Sequence, residues 1–305
     1  MSSRSTRWRR SPNLGFEHAR MSVRQGTNSQ LLSKLQTMNE ITAVHPGKSG
    51  DIVLAMAVLR RVFDKYQLRT RLTIAPNPDY DDYNAAKALS LATLLAHQTC
   101  IAAVSVDQDK PKMEYRANKV LDTRKFDVDF RRWSEQFRED RGQLNIVKDL
   151  CDWMNRIYPA WAVDPGNLAA PWMTFLGEDA LVKTETVYVN RTNRDTTPDE
   201  VWRRVLNRHR NLAFLGTQIE HAEFEARVAP IRFEVATDAL ELSKRILSGA
   251  KLVASQSLPM ALSSAFGTPL YGMVTREFHD CVFIRGNAEY NCFGMPFDSE
   301  YQVGV

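Results

Sequence analysis

No stretch of this sequence approaches the roughly 18 consecutive apolar residues that a membrane-crossing helix requires. The Arg-rich start also lacks the apolar segment of a secretory signal. The cytoplasm is therefore the expected address, the host cytoplasm if the chain is viral. Cysteine is scarce, with four in 305 residues (Cys100, Cys151, Cys281, Cys292), no C-x-x-C pair and no histidine at metal-ligand spacing. This argues against a disulfide framework or a structural zinc site and predicts free buried thiols. Nor does the body carry an excess of either charge. The formal net charge of +4 resides in the first 24 residues, where Arg4, Arg7, Arg9, Arg10, Arg20 and Arg24 face one acid, Glu17. Beyond them lie 34 basic and 35 acidic residues. Residues 1–28 thus read as a disordered basic tail. Its Arg7, Arg9 and Arg10 are candidates for contact with the phosphate backbone of double-stranded DNA.

What remains is ordinary for a globular protein, 44% apolar and 25% charged, and long enough for two α/β domains. Glu40–Val44 reads as a buried strand, followed by a loop (His45, Pro46, Gly47, Lys48, Ser49, Gly50) and a helix beginning at Asp51, with apolar residues at helical spacing through Phe63. Strand 71–75, an acidic loop with Asp79, Asp81 and Asp82, helix 84–97 and strand 100–106 continue the alternation. A short amphipathic helix is expected at 29–38, and the stretch 126–157 reads as helical with a break at Gly142. The Pro/Trp-rich segment 159–171 suggests a boundary, giving domains 29–165 and 166–305. The second half restarts with strand 186–190, helix 198–206, strand 211–215, helix 238–248, strand 251–254, a helix from Leu258 to Phe266 capped by Gly267, and strand 270–274.

Two strand–loop–helix corners carry the candidate chemistry. In the first, Gly47-Lys48-Ser49 suggests a phosphate-cradling P-loop, but that motif needs glycine at position 42, where threonine stands. Asp51 is either the N-cap of its helix or a general base held at the carboxyl end of a strand, where open α/β sheets bind ligands. In the second corner Ser255-Gln256-Ser257 leads into an apolar helix whose N-terminus could hold a phosphate; the plainer alternative is that Ser257 is a helix cap. Arg191 and Arg194 are candidates to neutralise a diphosphate. The Asp79/Asp81/Asp82 cluster reads as a solvated loop, so no metal site is expected.

These residues resemble a known family. Gly50-Asp51-Ile52-Val53, with the following helix ending Leu59-Arg60-Arg61, is similar to the opening motif of heptosyltransferase-type glycosyltransferases of GT-B fold. The segments 246–257 and 261–269 resemble that family's donor-site motif. Leu215-Gly216 with Glu220, His221 and Phe224, and Asn190-Arg191-Thr192 followed by Trp202, are similar to a divergent phage and bacterial group. The resemblance implies two Rossmann-like domains facing a cleft. It implies that Asp51 deprotonates the acceptor hydroxyl, beside a loop of His45, Lys48, Ser49 and Gly50. It also implies donor contacts from Ser255, Gln256 and Ser257. Gly216, Glu220 and His221 are further donor-side candidates beside Arg191 and Arg194; the plainer alternatives are surface pairing for the arginines and a dipole-complementing helix start for Glu220. Heptosyltransferases carry aspartate where Gln256 stands and histidine where Met260 stands, which points away from a heptose donor.

The expected activity is sugar transfer from a UDP-, GDP- or ADP-sugar, with no other cofactor and no metal. The acceptor is a hydroxymethylated base in DNA or, alternatively, a surface saccharide or lipid-linked sugar. A P-loop phosphotransferase and a non-catalytic sugar- or nucleic-acid-binding module are the competing classes.

Overall fold

The computed structural model describes residues 38–46, 49–75, 85–107, 125–131, 133, 145–159, 161–275 and 281–293. The basic tail with Arg7, Arg9 and Arg10, residues 29–37 of the expected first helix, Lys48 and the Asp79/Asp81/Asp82 loop lie outside the described residues.

The first half builds β1 (Glu40–His45), α1 (Ser49–Tyr66), β2 (Arg69–Ile74), α2 (Ala85–Ala96), β3 (Ile101–Val106), β4 (Val128–Asp129) and α3 (Ile146–Ile157). Its strands pair in parallel in the order β3-β2-β1-β4. The second half builds β5 (Val187–Asn190), α4 (Asp199–Leu206), β6 (Leu212–Leu215), α5 (Gln218–Arg227), β7 (Arg232–Glu234), α6 (Ala239–Ser248), β8 (Lys251–Ser255), α7 (Leu258–Phe266), β9 (Leu270–Thr275) and β10 (Ala288–Phe293). These strands form an all-parallel sheet, β10-β9-β8-β5-β6-β7. Counted from its own first strand, the larger sheet has the doubly wound order 3-2-1-4-5-6. The smaller sheet keeps the first four strands of that order. Each therefore has one switch point, between β1 and β4 and between β5 and β8. There the chain departs in opposite directions and leaves a crevice at the carboxyl ends of the strands.

All four residues of β5 are buried, as expected of a parallel strand covered on both faces. Two helices are equally enclosed: Ile52 through Leu59 of α1 and Pro259 through Phe266 of α7 are buried without interruption. A helix apolar all round must be packed all round, and these two pack on each other, α1 also on α3 and α7 also on α6. Trp172 Nε1 donates to the Val53 carbonyl at 3.0 Å inside this contact. One apolar core, including Ile41, Val58, Trp172, Leu252 and Leu262, consequently runs through both halves.

Three expectations need correction. The first helix starts at Ser49, so Asp51 lies inside its first turn and is not its N-cap. The stretch 126–157 is not helical from its start: Val128 and Asp129 form β4 against Ala43 and Val44. Asp127 ties its entry by accepting from Thr42 N and Oγ1 at 2.8 and 2.9 Å. A two-residue strand flanked by aspartates has too little apolar alternation to register as one. Finally, β10 closes the larger sheet where no strand was expected.

The expected cap at Gly267 is present. Its φ of 71° is left-handed, and an added Cβ would lie 2.7 Å from Pro171 Cγ. Gly267→Ala is expected to lower unfolding free energy by more than about 1 kcal/mol, measured by denaturant titration, because strain and the clash act together. Cys100 and Cys151 are free and buried as expected, and burial pushes their thiols up to about 11 and about 12. Among the described residues no helix is long and apolar enough to cross a membrane.

Candidate functional site

The two switch points face each other. A Cβ built on Gly50 would stand 3.8 Å from Ser257 O and 3.9 Å from both Leu258 N and Ala261 Cβ. The N-termini of α1 and α7 therefore abut, bringing two positive dipole ends together, an arrangement that favours negative charge between them. Half-buried Asp51, in the first turn of α1, supplies one such charge. Among the described residues no side chain caps the α7 end. Ser257 has the extended backbone of an N-cap, but its Oγ donates backwards to Ser255 O at 2.8 Å. Pro259 has no N–H, so the amides of Leu258 and Met260 are the first-turn donors left for an anion.

Two cavities meet at this point, both touching Gly50, Thr192, Arg194, Ser257 and Leu258. The smaller, about 250 Å³, contains Asp51, Gln256 and Thr275. Gln256 Oε1 accepts weakly from Thr275 N and Oγ1, each at 3.4 Å. The larger, about 730 Å³, extends past Asn190, Gly216 and Glu220 to Asp238 and is closed on its far side by Lys87 and Ser90 of α2. Its volume is within the range of ligand pockets. Ser90 Oγ accepts the Ala239 N–H at 2.6 Å, so the first half contributes directly to the wall.

The loop after β5 distinguishes the two arginines expected to neutralise a diphosphate. Arg191 does not reach the cavities. Its Nε bonds Asp195 at 3.0 Å, Nη1 bonds Asp199 at 2.7 Å and Nη2 donates to Thr197 O at 2.8 Å, with Trp202 beneath the guanidinium. Those bonds fold the loop tightly, and Thr192 N, donating to Ser255 Oγ at 3.0 Å, pins it to the end of β8. Arg194, at the tip, is exposed and lines both cavities.

Gly216 and Glu220 border the larger cavity, and each has a local structural duty. A Cβ on Gly216 would come within 2.7 Å of Phe214 and 3.0 Å of Glu220 Oε2. Glu220 completes a capping box with Thr217 at the start of α5. His221 points away, bonding Ile231 O at 2.8 Å and stacking on Phe233. Ser49 borders the larger cavity. Of the residues expected around the site, Asp51, Ser49, Gly50, Arg194, Gly216, Glu220, Ser255, Gln256 and Ser257 are brought together, while Arg191, His221 and His45 are not.

The sequence reading missed Asn190. It is buried, its Nδ2 donates to Leu215 O at 2.7 Å, and its Oδ1 has no partner among the described residues while the side chain borders the larger cavity. An asparagine ending an apolar strand was the available signal. The connection between β1 and α1 is three residues, 46–48, and Thr42 lies within β1, paired with Arg71. That leaves no loop of P-loop length.

His45 is buried at the end of β1 against Phe130, with ring centroids 5.3 Å apart. Burial holds its imidazole down at about 3. A lowered histidine pKa means the unfolded chain binds the proton first. Stability is therefore full above the unfolded value of about 6.5 and falls from there down to about pH 3. The expected loss is about 1.4 kcal/mol per pH unit below 6.5. Urea titrations between pH 7 and 5 should show His45→Gln less acid-sensitive than the parent.

No protein-family model matches the sequence, and no curated protein matches it. Solved structures do. The E. coli heptosyltransferase WaaC with ADP-2-deoxy-2-fluoro heptose superposes with a TM-score of 0.55 at 10% identity, over 83% of this chain and 92% of that one. The glycosyl transferase family 9 protein from Veillonella parvula DSM 2008 superposes with a TM-score of 0.54 at 11% identity, over 83% and 86%. The fold is thus the one the resemblance implied: GT-B, two Rossmann-like halves facing a cleft.

Proposed function

We propose that this protein is a nucleotide-sugar-dependent glycosyltransferase. The observation that carries this reading is the meeting of the two switch points at Gly50, which puts Asp51 on the same cavity as the first turn of α7. The donor diphosphate lies on the Leu258 and Met260 amides with Arg194 as its counter-charge. The nucleoside occupies the larger cavity near Asn190 and Glu220, and the sugar enters the smaller one. Asp51 takes the proton of the attacking acceptor hydroxyl, while the helix end and Arg194 stabilise the departing diphosphate. On this reading residues 166–305 hold the donor, residues 29–165 present the acceptor, and no cofactor beyond the donor is used.

A thermal-shift panel with UDP-, GDP- and ADP-sugars tests it. A ligand at one hundred times its Kd stabilises by about 2.7 kcal/mol, which raises Tm by several degrees. If no sugar nucleotide and no free diphosphate raises Tm, the reading is wrong.

The acceptor we favour is a hydroxymethylated base in double-stranded DNA, with Arg7, Arg9 and Arg10 of the tail holding the backbone. Transfer of labelled sugar to hydroxymethylated but not unmodified DNA is expected, weakened by deletion of residues 1–28 and by salt. Transfer only to saccharide or lipid-linked acceptors would replace that assignment.

A further inference from the structure

We propose that Ser264 is a sugar-contacting residue, whose hydroxyl bonds the transferred sugar at the inner end of the smaller cavity. This rests on the glycosyl-transfer reading above and adds a specificity-determining residue to it. Ser264 is 2% exposed and borders that cavity. Its Oγ has no hydrogen-bond partner among the described residues. The neighbouring Tyr290 Oη is turned to the Phe283 main chain, accepting from its N at 3.2 Å and donating to its O at 3.1 Å. The adjacent serine behaves differently: Ser263 Oγ meets Thr268 Oγ1 at 2.7 Å. A buried hydroxyl with nothing to bond costs stability, and alanine is the better helix former. Packing alone would therefore favour alanine at 264, and a ligand that bonds the hydroxyl accounts for the serine.

The place of Ser264 along α7 agrees with this. Ser257, Met260, Ala261 and Ser264 all border the smaller cavity, and their spacing of three and four puts them on one helical face. Ser264 stands two turns, about 10 Å, along the axis from the N-terminus assigned to the diphosphate. Side chains on a helix lean back toward its N-terminus, which brings the hydroxyl nearer the donor. One sugar ring and one hydrogen bond cover the distance that remains. A pyranose carries hydroxyls around its ring, so the contact does not depend on which edge faces α7. Arg285 fixes the inner end of the helix, donating from Nη1 to Ser264 O at 3.0 Å and from Nη2 to Ser263 O at 3.0 Å and Thr268 O at 2.7 Å. The hydroxyl is thus carried on a clamped backbone, as a selective contact requires.

The test is calorimetric binding to the parent and Ser264→Ala of three pairs: UDP and UDP-glucose, GDP and GDP-mannose, ADP and ADP-glucose. In the pair where the sugar adds most affinity to the parent, Ser264→Ala is expected to bind the sugar nucleotide about 10-fold more weakly, the loss of one buried hydrogen bond. The free diphosphate is expected to bind both proteins equally. Without ligand, the Tm of Ser264→Ala is expected to equal or exceed the parent's, because no bond within the protein is lost. Ser263→Ala, which does lose one, is expected to lower Tm. An unchanged sugar contribution, an equal fall for sugar nucleotide and free diphosphate, or a sugar that adds nothing in any parent pair overturns the role of Ser264 and leaves the diphosphate site standing. A Tm of Ser264→Ala below the parent's also overturns it, since the hydroxyl would then be bonded within the protein or to a trapped water. Failure of every sugar nucleotide and free diphosphate to bind overturns glycosyl transfer itself, and this assignment with it.

Discussion

Asp51→Asn is expected to lower the turnover number for sugar transfer about 10²–10⁴-fold, the usual contribution of a positioned proton acceptor, while donor affinity changes little. The substitution keeps the shape of a half-buried side chain on the smaller cavity and removes its charge and, with it, its basicity. The donor anchors proposed above, the α7 N-terminus and Arg194, belong to other elements. A structural role would behave differently. Were Asp51 present only to complement the α1 dipole, its loss would cost about 0.3–1 kcal/mol of stability and spare turnover. Measuring turnover number, donor Kd and Tm on one preparation separates the two roles. Full turnover in the variant would remove Asp51 from the mechanism, and unaltered donor binding with abolished turnover would exclude a purely binding protein.

The largest expected effect on stability comes from Asp195, whose side chain is 1% exposed and serves four donors. Oδ1 accepts from Thr197 N at 3.3 Å and Thr197 Oγ1 at 2.8 Å; Oδ2 accepts from Arg191 Nε at 3.0 Å and Trp202 Nε1 at 2.7 Å. Asp195→Ala leaves the indole N–H and part of a buried guanidinium without an acceptor. Breaking a buried pair in this way costs about 3–5 kcal/mol. Arg191 keeps Asp199 and Thr197 O, which places the expected loss near the lower limit, about 3 kcal/mol, read from the denaturant midpoint at unchanged m-value. Because Arg194 is carried between these two residues, the donor KM should rise in the same variant even at temperatures where it is folded. An Asp195→Ala protein as stable as the parent would mean that the loop does not depend on this network.

Part of the fold was legible because its causes are local. The α7 helix has the bounds read from the sequence, Leu258 to Phe266, since apolar periodicity begins after a serine and stops at a glycine that alone tolerates φ of 71°. The parallel strands β5, β6 and β8 were likewise visible as short apolar runs ending at polar residues. β4 was not, because two residues between aspartates carry no periodicity, and its place at the edge of β1 is set by pairing across some 85 residues of chain.

The candidate site divides along the same line. Sequence alone determined that two strand–loop–helix corners exist, that Asp51 and Ser257 occupy them, and that the positive charge lies in the tail. Only the tertiary structure decided that the corners meet, with Gly50 against Ser257 and Leu258. Only it separated the arginines, turning Arg191 inward to Asp195 and Asp199 and leaving Arg194 at the cleft. The reason is physical. Helix and strand periodicity record which face a residue shows to its immediate neighbours, whereas contacts between segments some 200 residues apart follow from sheet order and from α1 and α7 burying each other, which no local pattern encodes.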